Sequence, residues 1–307
     1  LLGRTAGTRT GTGRVAWRIP YDSGQVAPTV ATDGVRVFAR TGLRRLSAFD
    51  LATRRRRWNA ESGDDRGDEL FQVPNVLAAG GVAVFGAYRG LTAVDGATGQ
   101  RRWYWEPSRG GVVGQRSPIV TDGATVYAAT RQPAMLYAVD LTTGRERWAA
   151  AVAADLTSAQ TASDPVVAGN AVAVTLRVED RTVAPSVERG SVVAFEATNG
   201  RERWRFAVPP LADGRRAWNW NGGLAVDPAA GVAVATAGDD GRVFGLALSD
   251  GRVLWQAPGV VNYDIRPVAI TRGVALAGST EGPLVAYDLT TGAERWRVVR
   301  PAYASSM

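Results

Sequence analysis

The 307-residue chain contains no cysteine, no histidine and no lysine, so all 36 of its basic residues are arginine. The lack of cysteine excludes disulfides and thiolate chemistry. The lack of histidine removes the commonest general base and metal ligand of enzymes. Abundant alanine, glycine and valine beside an all-arginine basic set are typical of a high-GC coding sequence. The composition is therefore explained without a functional requirement.

Long apolar runs are also missing. No stretch approaches the roughly 18 residues that a membrane-spanning helix needs, so no transmembrane span is predicted in this chain. The net charge of +7 would suit an anionic partner, but the arginines are scattered and no nucleic-acid-reading element accompanies them. We therefore expect no nucleic-acid partner.

The chain begins with Leu1-Leu2-Gly3 instead of methionine. From this start we expect that a signal peptide or an anchoring segment has been removed and that the protein is exported or belongs to the cell envelope, in the periplasm or outside the cell. Residues 1–13 are rich in glycine, threonine and arginine and are predicted to form a flexible segment. Residues 14–307 are predicted to form one domain.

What the chain has in abundance is a motif that ends in tryptophan. Its clearest copy, residues 138–148, reads Ala-Val-Asp-Leu-Thr-Thr-Gly-Arg-Glu-Arg-Trp. Successive copies lie about 40 to 55 residues apart, a period typical of propellers, solenoids and arrays. The copies end at Trp17, Trp58, Trp103, Trp148, Trp204, Trp255 and Trp296. Four residues before the tryptophan stand Gly13, Arg54, Gly99, Gly144, Gly200, Gly251 and Gly292.

Each repeat predicts four short antiparallel strands. A proline is expected at the first position of the first strand, where its missing N–H is tolerated. A turn such as Asp33-Gly34 leads to an alternating second strand such as residues 82–85. The third strand, such as residues 136–139, runs into the hairpin of the motif, and the tryptophan lies on the fourth. The prolines in question are Pro28, Pro74, Pro118, Pro165 and Pro267.

Such a unit is a propeller blade, so the chain is predicted to be an all-β propeller of four-stranded antiparallel blades. Six complete blades end at Trp58, Trp103, Trp148, Trp204, Trp255 and Trp296. The seventh tryptophan, Trp17, falls on an isolated fourth strand. We expect a seven-bladed ring whose closing blade is incomplete, with residues 301–304 as the beginning of its first strand.

The motif resembles the tryptophan-docking motif of the PQQ-like (pyrroloquinoline-quinone-type) β-propellers, a WD40-like repeat with the pattern Ala-x-Asp-x-x-Thr-Gly-x-x-x-Trp. In that family the tryptophan packs between neighbouring blades, so the resemblance implies that all seven tryptophans of the motif are structural. A large aromatic residue repeated once per unit independently indicates a core position. The aspartate position is occupied by Asp50, Asp95, Asp140, Glu196, Ala247 and Asp288, which are expected to support the turn where they are acidic.

The resemblance leaves two functional classes. The first is the non-enzymatic branch of the family, with BamB-like envelope scaffolds and the sensor domains of bacterial Ser/Thr kinases, which implies a binding partner and no catalytic residues. The alternative is a fragment of a PQQ- and calcium-dependent quinoprotein dehydrogenase. The enzymes are generally eight-bladed and often carry adjacent cysteines, which this chain lacks, and no array of acidic and amide residues like a calcium-binding loop is found. We expect neither PQQ nor a metal.

Candidate binding residues lie in the connections from the fourth strand of one blade to the first strand of the next. Exposed tryptophan, tyrosine and arginine beside amides are typical of interaction hot spots. The opposing interpretation is that these side chains cap the central channel and pack on each other. The candidates for binding another protein or a small ligand are Trp105, Glu106, Arg116, Trp218, Asn219, Trp220, Asn221, Asn262, Tyr263, Asp264 and Arg266.

Overall fold

All secondary structure in the described part of the chain is β-strand. The computed structural model describes residues 17–19, 29–42, 45–62, 76–86, 89–113, 119–153, 159–180, 187–210, 223–237, 241–258, 265–279 and 282–299. Within these ranges no helix is long and apolar enough to cross a membrane.

The strands form six four-stranded antiparallel blades, each with its strands in sequence order. Blade 1 contains β1 (Val30–Thr32), β2 (Arg36–Arg40), β3 (Arg45–Asp50) and β4 (Arg56–Glu61). Blade 2 contains β5 (Val76–Ala79), β6 (Val82–Gly86), β7 (Leu91–Asp95) and β8 (Arg101–Trp105). The short β9 (Val112–Val113) follows. Blade 3 contains β10 (Val120–Thr121), β11 (Thr125–Arg131), β12 (Met135–Asp140) and β13 (Glu146–Ala151).

The second half of the chain repeats the arrangement. Blade 4 contains β14 (Ala159–Ala168), β15 (Ala171–Asp180), β16 (Val187–Glu196) and β17 (Glu202–Ala207). Blade 5 contains β18 (Leu224–Asp227), β19 (Val232–Thr236), β20 (Val243–Ala247) and β21 (Val253–Ala257). Blade 6 contains β22 (Ile265–Thr271), β23 (Val274–Ser279), β24 (Leu284–Asp288) and β25 (Glu294–Val298). The predicted all-β architecture is confirmed.

The burial of each strand follows its position in the blade. Middle strands such as β6 and β20 are buried at every residue, because a neighbouring blade covers each of their faces. They accordingly consist of continuous apolar runs. The fourth strands β8, β17 and β21 alternate between buried and exposed or half-buried residues along their second halves, because their side chains point alternately to a neighbouring blade and to solvent.

Apolar cores lie between blades, one for each pair of sequence neighbours. Five clusters join blade 1 to blade 2, blade 2 to 3, blade 3 to 4, blade 4 to 5, and blade 5 to 6. The first strands of successive blades also contact each other, from β1–β5 to β18–β22. Among the described residues no comparable cluster or contact joins blade 6 to blade 1.

The prediction that proline opens the first strand was wrong for two blades. Pro165 is the seventh residue of β14 and Pro267 is the third residue of β22, so neither proline opens its strand. Both prolines coincide with a shift in the pairing register, between Ser163 and Val166 and between Arg266 and Ala269. A bulge leaves one residue outside the ladder, so a residue without an N–H fits there.

Blades 3 and 4 are joined more closely than the others. Arg131 at the end of β11 pairs with Thr161 of β14, and β9 pairs with the same end of β11, so the two blades form one continuous sheet. Blade 4 also has the longest strands, with ten residues in each of β14, β15 and β16.

Candidate functional site

The hairpin of the motif is built around its aspartate. In blade 3, Asp140 Oδ1 accepts hydrogen bonds from the N–H groups of Thr142 and Thr143 at 3.0 and 2.8 Å and from the Thr143 hydroxyl at 2.9 Å. The Asp140 carbonyl accepts the N–H of Gly144 at 2.9 Å. Gly144 has φ of +71°, a conformation that costs little only for glycine. The expectation that the aspartates support the turn is confirmed.

The second carboxylate oxygen binds an arginine that the sequence analysis did not single out. In four blades the residue before the tryptophan donates from Nη2 to Oδ2 of the aspartate: Arg57 to Asp50 and Arg147 to Asp140 at 2.7 Å, and Arg102 to Asp95 and Arg295 to Asp288 at 2.6 Å. The hydrogen bond from Arg102, followed by the backbone N–H of Thr98, lowers the pKa of Asp95 to about 2. The equivalent arginines hold the pKa of Asp140 and of Asp288 well below the usual range. The sequence signal was the Arg-Trp pair that recurs in these copies.

The tryptophan docks on the hairpin of the following blade. The Trp103 indole N–H donates to the Leu141 carbonyl at 3.0 Å, and its ring lies against Gly144. A Cβ at Gly144 would come within 2.6 Å of the ring, so glycine is required there by the contact as well as by φ. The same pairing joins Trp58 to Gly96, Trp148 to Ala197, Trp204 to Leu248 and Trp255 to Leu289, at 2.8 to 3.2 Å.

The alanine that opens the motif has a matching role. It pairs across the ladder with the tryptophan, as Ala138 does with Trp148, and a register shift follows it in every blade. In blade 5 the position is held by Gly245, where a Cβ would lie 2.2 Å from the Trp255 ring. A small residue therefore lets the indole lie across the strand and reach the next blade.

The two outermost tryptophans differ from the inner five. Trp296 of blade 6 is 44% exposed, whereas Trp204 and Trp255 are 7% exposed. Trp17 belongs to no strand within the described residues, and its ring lies 5.9 Å from that of Phe49 in blade 1. A docked, structural tryptophan is thus observed in five copies of the motif.

Trp105 is a buried contact between blades 2 and 3. Its side chain is 6% exposed, its ring meets that of Tyr137 edge-on at 5.3 Å, and its indole N–H donates to Glu146 at 3.2 Å. It stands two residues after a docking tryptophan and thus on the same face of the strand. In blade 4 the same position holds Phe206, which packs on Phe244 of blade 5. The rule that this position is apolar was visible in the sequence but was not recognised.

The other candidate residues are placed as follows. Glu106 is exposed directly after β8 and accepts a hydrogen bond from the Tyr104 hydroxyl at 2.9 Å. The backbone of Arg266 lies in β22, paired with Gly278. We call the edge of the ring where fourth strands end and first strands begin the connection face, and Glu106 lies on it. Arg116, Trp218, Asn219, Trp220, Asn221, Asn262, Tyr263 and Asp264 lie outside the described residues.

The described residues do not fit a calcium and PQQ site. Their buried polar side chains are hydroxyls, except for Arg40, and no carboxylate is among them. Burial lowers the pKa of Arg40 to about 10, still a cation at neutral pH. No group of three acidic residues able to hold a metal ion occurs in the part of the chain that the structure describes. Calcium prefers six to eight oxygen ligands, which this set does not provide.

The chain matches a family model described as outer membrane protein assembly factor BamB over residues 4–106, 104–259 and 188–305. Two curated relatives carry that description. The protein of Nitrosomonas eutropha is 28% identical over 186 residues, which are 58% of this chain and 37% of the relative. The protein of Yersinia pestis is 26% identical over 260 residues, 78% of this chain and 60% of the relative. The chain therefore spans less than two thirds of the length of either.

Solved structures share the fold at low sequence identity. BamB from Moraxella catarrhalis superposes with a TM-score of 0.62 at 18% identity, covering 89% of this chain and 76% of that one. A europium-containing methanol dehydrogenase superposes with a TM-score of 0.68 at 12% identity, covering 94% and 73%. The fold is thus common to assembly factors and to dehydrogenases. Since the family model covers nearly the whole sequence, the chain belongs to the PQQ-like β-propeller family described as outer membrane protein assembly factor BamB.

Proposed function

We propose that the protein is a non-catalytic scaffold of the bacterial cell envelope that binds another protein. The observation that carries the proposal is the family match over residues 4–305, together with two relatives named as outer membrane protein assembly factors. Because a fold hosts many functions, the sequence relationship supports this function more strongly than the shape does. An exported location, with any anchor supplied by a segment outside this sequence, belongs to the same proposal.

The connection face is the surface that we propose for binding. Glu106 presents a carboxylate there, next to Trp105, whose packing on blade 3 fixes the end of β8. Residues 218–221 connect blade 4 to blade 5, and residues 262–266 lead into the first strand of blade 6. Their tryptophan, tyrosine, arginine and amide side chains are the types enriched at interaction hot spots. The partner in this proposal is a protein that meets these side chains together.

Site-specific photocrosslinking tests the proposed face. A photoreactive phenylalanine analogue replaces Glu106 at the connection end of β8 or Arg101 at its opposite end, both of which are exposed. In intact cells we expect an adduct of defined mass from position 106 and none from position 101. Equal adducts from both positions, or none from either, would contradict a binding role for the connection face.

The second candidate function is a quinoprotein dehydrogenase fragment. The observation that favours it is the superposition with methanol dehydrogenase, which covers 94% of this chain. Calorimetric titration with PQQ and calcium tests it, and we expect no heat of binding at high micromolar concentration. Saturable binding of the pair, dependent on calcium, would favour the enzyme.

We further propose that the complete ring has seven blades. Trp17 would lie on the fourth strand of the closing blade, which agrees with its contact to Phe49 on blade 1. Residues 301–304, which lie outside the described residues, would begin the first strand of that blade.

A further inference from the structure

The motif hairpin of blade 4 contains a chemically reactive pair of residues, Asn199-Gly200. Among the six described motif hairpins it alone has asparagine directly before the residue with positive φ. The residues at this position are Thr53, Thr98, Thr143, Asn199, Asp250 and Thr291. Asparagine is a thermolabile residue, because the backbone nitrogen of the next residue can attack its side chain. Glycine makes the attack easiest, since it has no Cβ to hinder the approach.

The reaction at this pair consumes only water. The Gly200 nitrogen loses its proton to a solvent base and forms a bond to Cγ of Asn199. The bond from Cγ to the amide nitrogen breaks, and that nitrogen takes a proton and leaves as ammonia. One water molecule then opens the cyclic imide. Opening at one carbonyl gives aspartate, and opening at the other gives isoaspartate, whose backbone runs through the side-chain carbon.

Two hydrogen bonds of the hairpin hold the reacting groups apart. The Gly200 N–H donates to the Glu196 carbonyl at 2.9 Å, so the nitrogen that must lose its proton is engaged. Asn199 Oδ1 accepts the N–H of Arg201 at 2.9 Å, which ties the carboxamide to the strand beyond Gly200. Asn199 is otherwise exposed, so solvent reaches it. Local opening of the hairpin is therefore the step that the reaction requires.

Blade 3 holds this hairpin closed. The Trp148 indole N–H donates to the Ala197 carbonyl at 3.0 Å, and the Tyr127 hydroxyl donates to the same carbonyl at 3.3 Å. The Trp148 ring also lies against Gly200, where a Cβ would come within 2.6 Å of it. Since these contacts fix the backbone on both sides of Asn199, the hairpin opens only when Trp148 leaves it.

We infer that Asn199 is a site of spontaneous deamidation whose rate is set by the joint between blades 3 and 4. The docked joint suppresses the reaction, and each release of Trp148 permits it. Isoaspartate adds a methylene group to the backbone next to Gly200, which displaces the glycine from beneath the ring. The modification therefore loosens the joint irreversibly. The inference goes beyond the proposed scaffold function and does not rest on it.

Peptide mapping after incubation at neutral pH measures the reaction. Trypsin cleaves after Arg189 and Arg201 and releases Asn199 in the peptide 190–201, separate from the Asn-Gly pair at 221–222, which lies outside the described residues. Mass spectrometry counts the deamidated peptide, and an isoaspartyl methyltransferase counts isoaspartate. Asn199 should react at least tenfold more slowly in the folded chain than in urea, a difference of about 1.4 kcal/mol in opening. Equal rates would overturn the inference.

Substitution of Trp148 tests the role of the joint. Trp148→Ala should raise the deamidation rate of Asn199 in the native buffer at least tenfold, because the hairpin loses the indole that covers it. Trp148→Phe keeps a ring, lacks the indole N–H and should give a smaller increase, which can be measured even where the alanine variant does not fold. Trp58→Ala, which opens the joint between blades 1 and 2, is the control and should leave the rate unchanged.

An equal increase in the Trp58 and Trp148 variants would mean that global unfolding exposes Asn199, and no increase in any of them would mean that the joint does not protect it. Either result would contradict the inference.

The effect of the product on the fold is tested with Asn199→Thr. This variant carries the residue that four other hairpins have at the position, and it cannot form the imide. The parent chain should lose a few degrees of Tm as isoaspartate accumulates at position 199, whereas the variant, aged in the same way, should keep its Tm. An unchanged Tm in parent chains that are mostly isoaspartate at this position would show that the joint is not loosened.

Discussion

At the scale of single residues, the glycine of the motif meets two demands at once, a positive φ and contact with an indole. Gly144→Ala should therefore cost about 3 kcal/mol or more, because a left-handed alanine costs about 1 kcal/mol and displacement of the Trp103 ring adds a packing penalty. Gly81→Ala is the matched control, since Gly81 has φ of +75° and nothing within 4 Å of the added Cβ. It should cost about 1 kcal/mol. Urea unfolding measures the free energy of unfolding of both variants. Equal losses would mean that contact with the Trp103 ring does not contribute to the cost of Gly144→Ala.

The aspartate of the motif makes the stability of the fold depend on pH. The pKa of Asp95 falls from 3.8 to about 2 in the folded state, so its stabilisation is present above pH 3.8 and is lost as the pH falls towards 2. Arg102→Gln should reduce the free energy of unfolding at pH 7, by less than about 1 kcal/mol because the pair is exposed, and the difference from the parent should shrink near pH 2. Arg101→Gln, which removes a neighbouring exposed arginine, serves as the control. A loss that is independent of pH would contradict the ion pair as its cause.

The sequence predicted the tryptophan and glycine of the motif because each recurs with fixed spacing. It did not predict that Trp105 is an interblade contact, because the apolar residue that recurs two positions after each motif tryptophan was not recognised. Trp105 and Phe206 occupy equivalent positions, because each lies two residues after a docking tryptophan and packs on the next blade. The candidates at 218–221 and 262–264 remain predictions, since they lie outside the described residues.

At the scale of the element, the fourth strand joins one blade to the next through its tryptophan. Trp204→Ala should destabilise the fold by about 3 to 5 kcal/mol, because Trp204 is 7% exposed and its N–H bonds to the Leu248 carbonyl at 2.9 Å. Trp296→Ala, in the same position of blade 6 but 44% exposed, should cost less than about 1 kcal/mol. Thermal unfolding of the two variants compares them directly. Similar losses would indicate that docking contributes little.

Strands with strict alternation or continuous apolar runs were located correctly from the sequence. The first strands were located less well, because proline was taken as the start of the strand. In β14 and β22 the ladder continues on both sides of a proline at a bulge. Local preference alone cannot distinguish a bulge from a strand end, since the pairing partner decides which of the two forms.

At the scale of the whole molecule, stability should vary around the ring. Blades 2 to 5 each pack on two neighbours, whereas blades 1 and 6 pack on one in the described structure. In repeat proteins such end units open first. Amides of β2 and β23 should exchange with solvent at least tenfold faster than those of β11 and β19, a difference of about 1.4 kcal/mol. Equal protection in all four strands would mean that the ring unfolds as one unit.

The number of complete blades followed from the sequence because each carries its own motif. The way in which the ring closes did not, because closure depends on surfaces far apart in the chain. The exposure of Trp296 and the presence of Arg54 in place of the motif glycine are recognised as unusual only when blades 1 and 6 are compared with the inner blades.

Blade 4 breaks the rotational symmetry of the ring. Its first three strands have ten residues each, whereas the corresponding strands of the other blades have two to seven. The ladder between β15 and β16 continues to the pair of Asp180 and Val187, beyond the point where β17 ends, so the extra length stands on the connection face. A partner that recognised only repeated features could bind in as many orientations as there are blades. The longer strands of blade 4 distinguish one of these orientations from the rest, so a partner that contacts them binds in a single orientation.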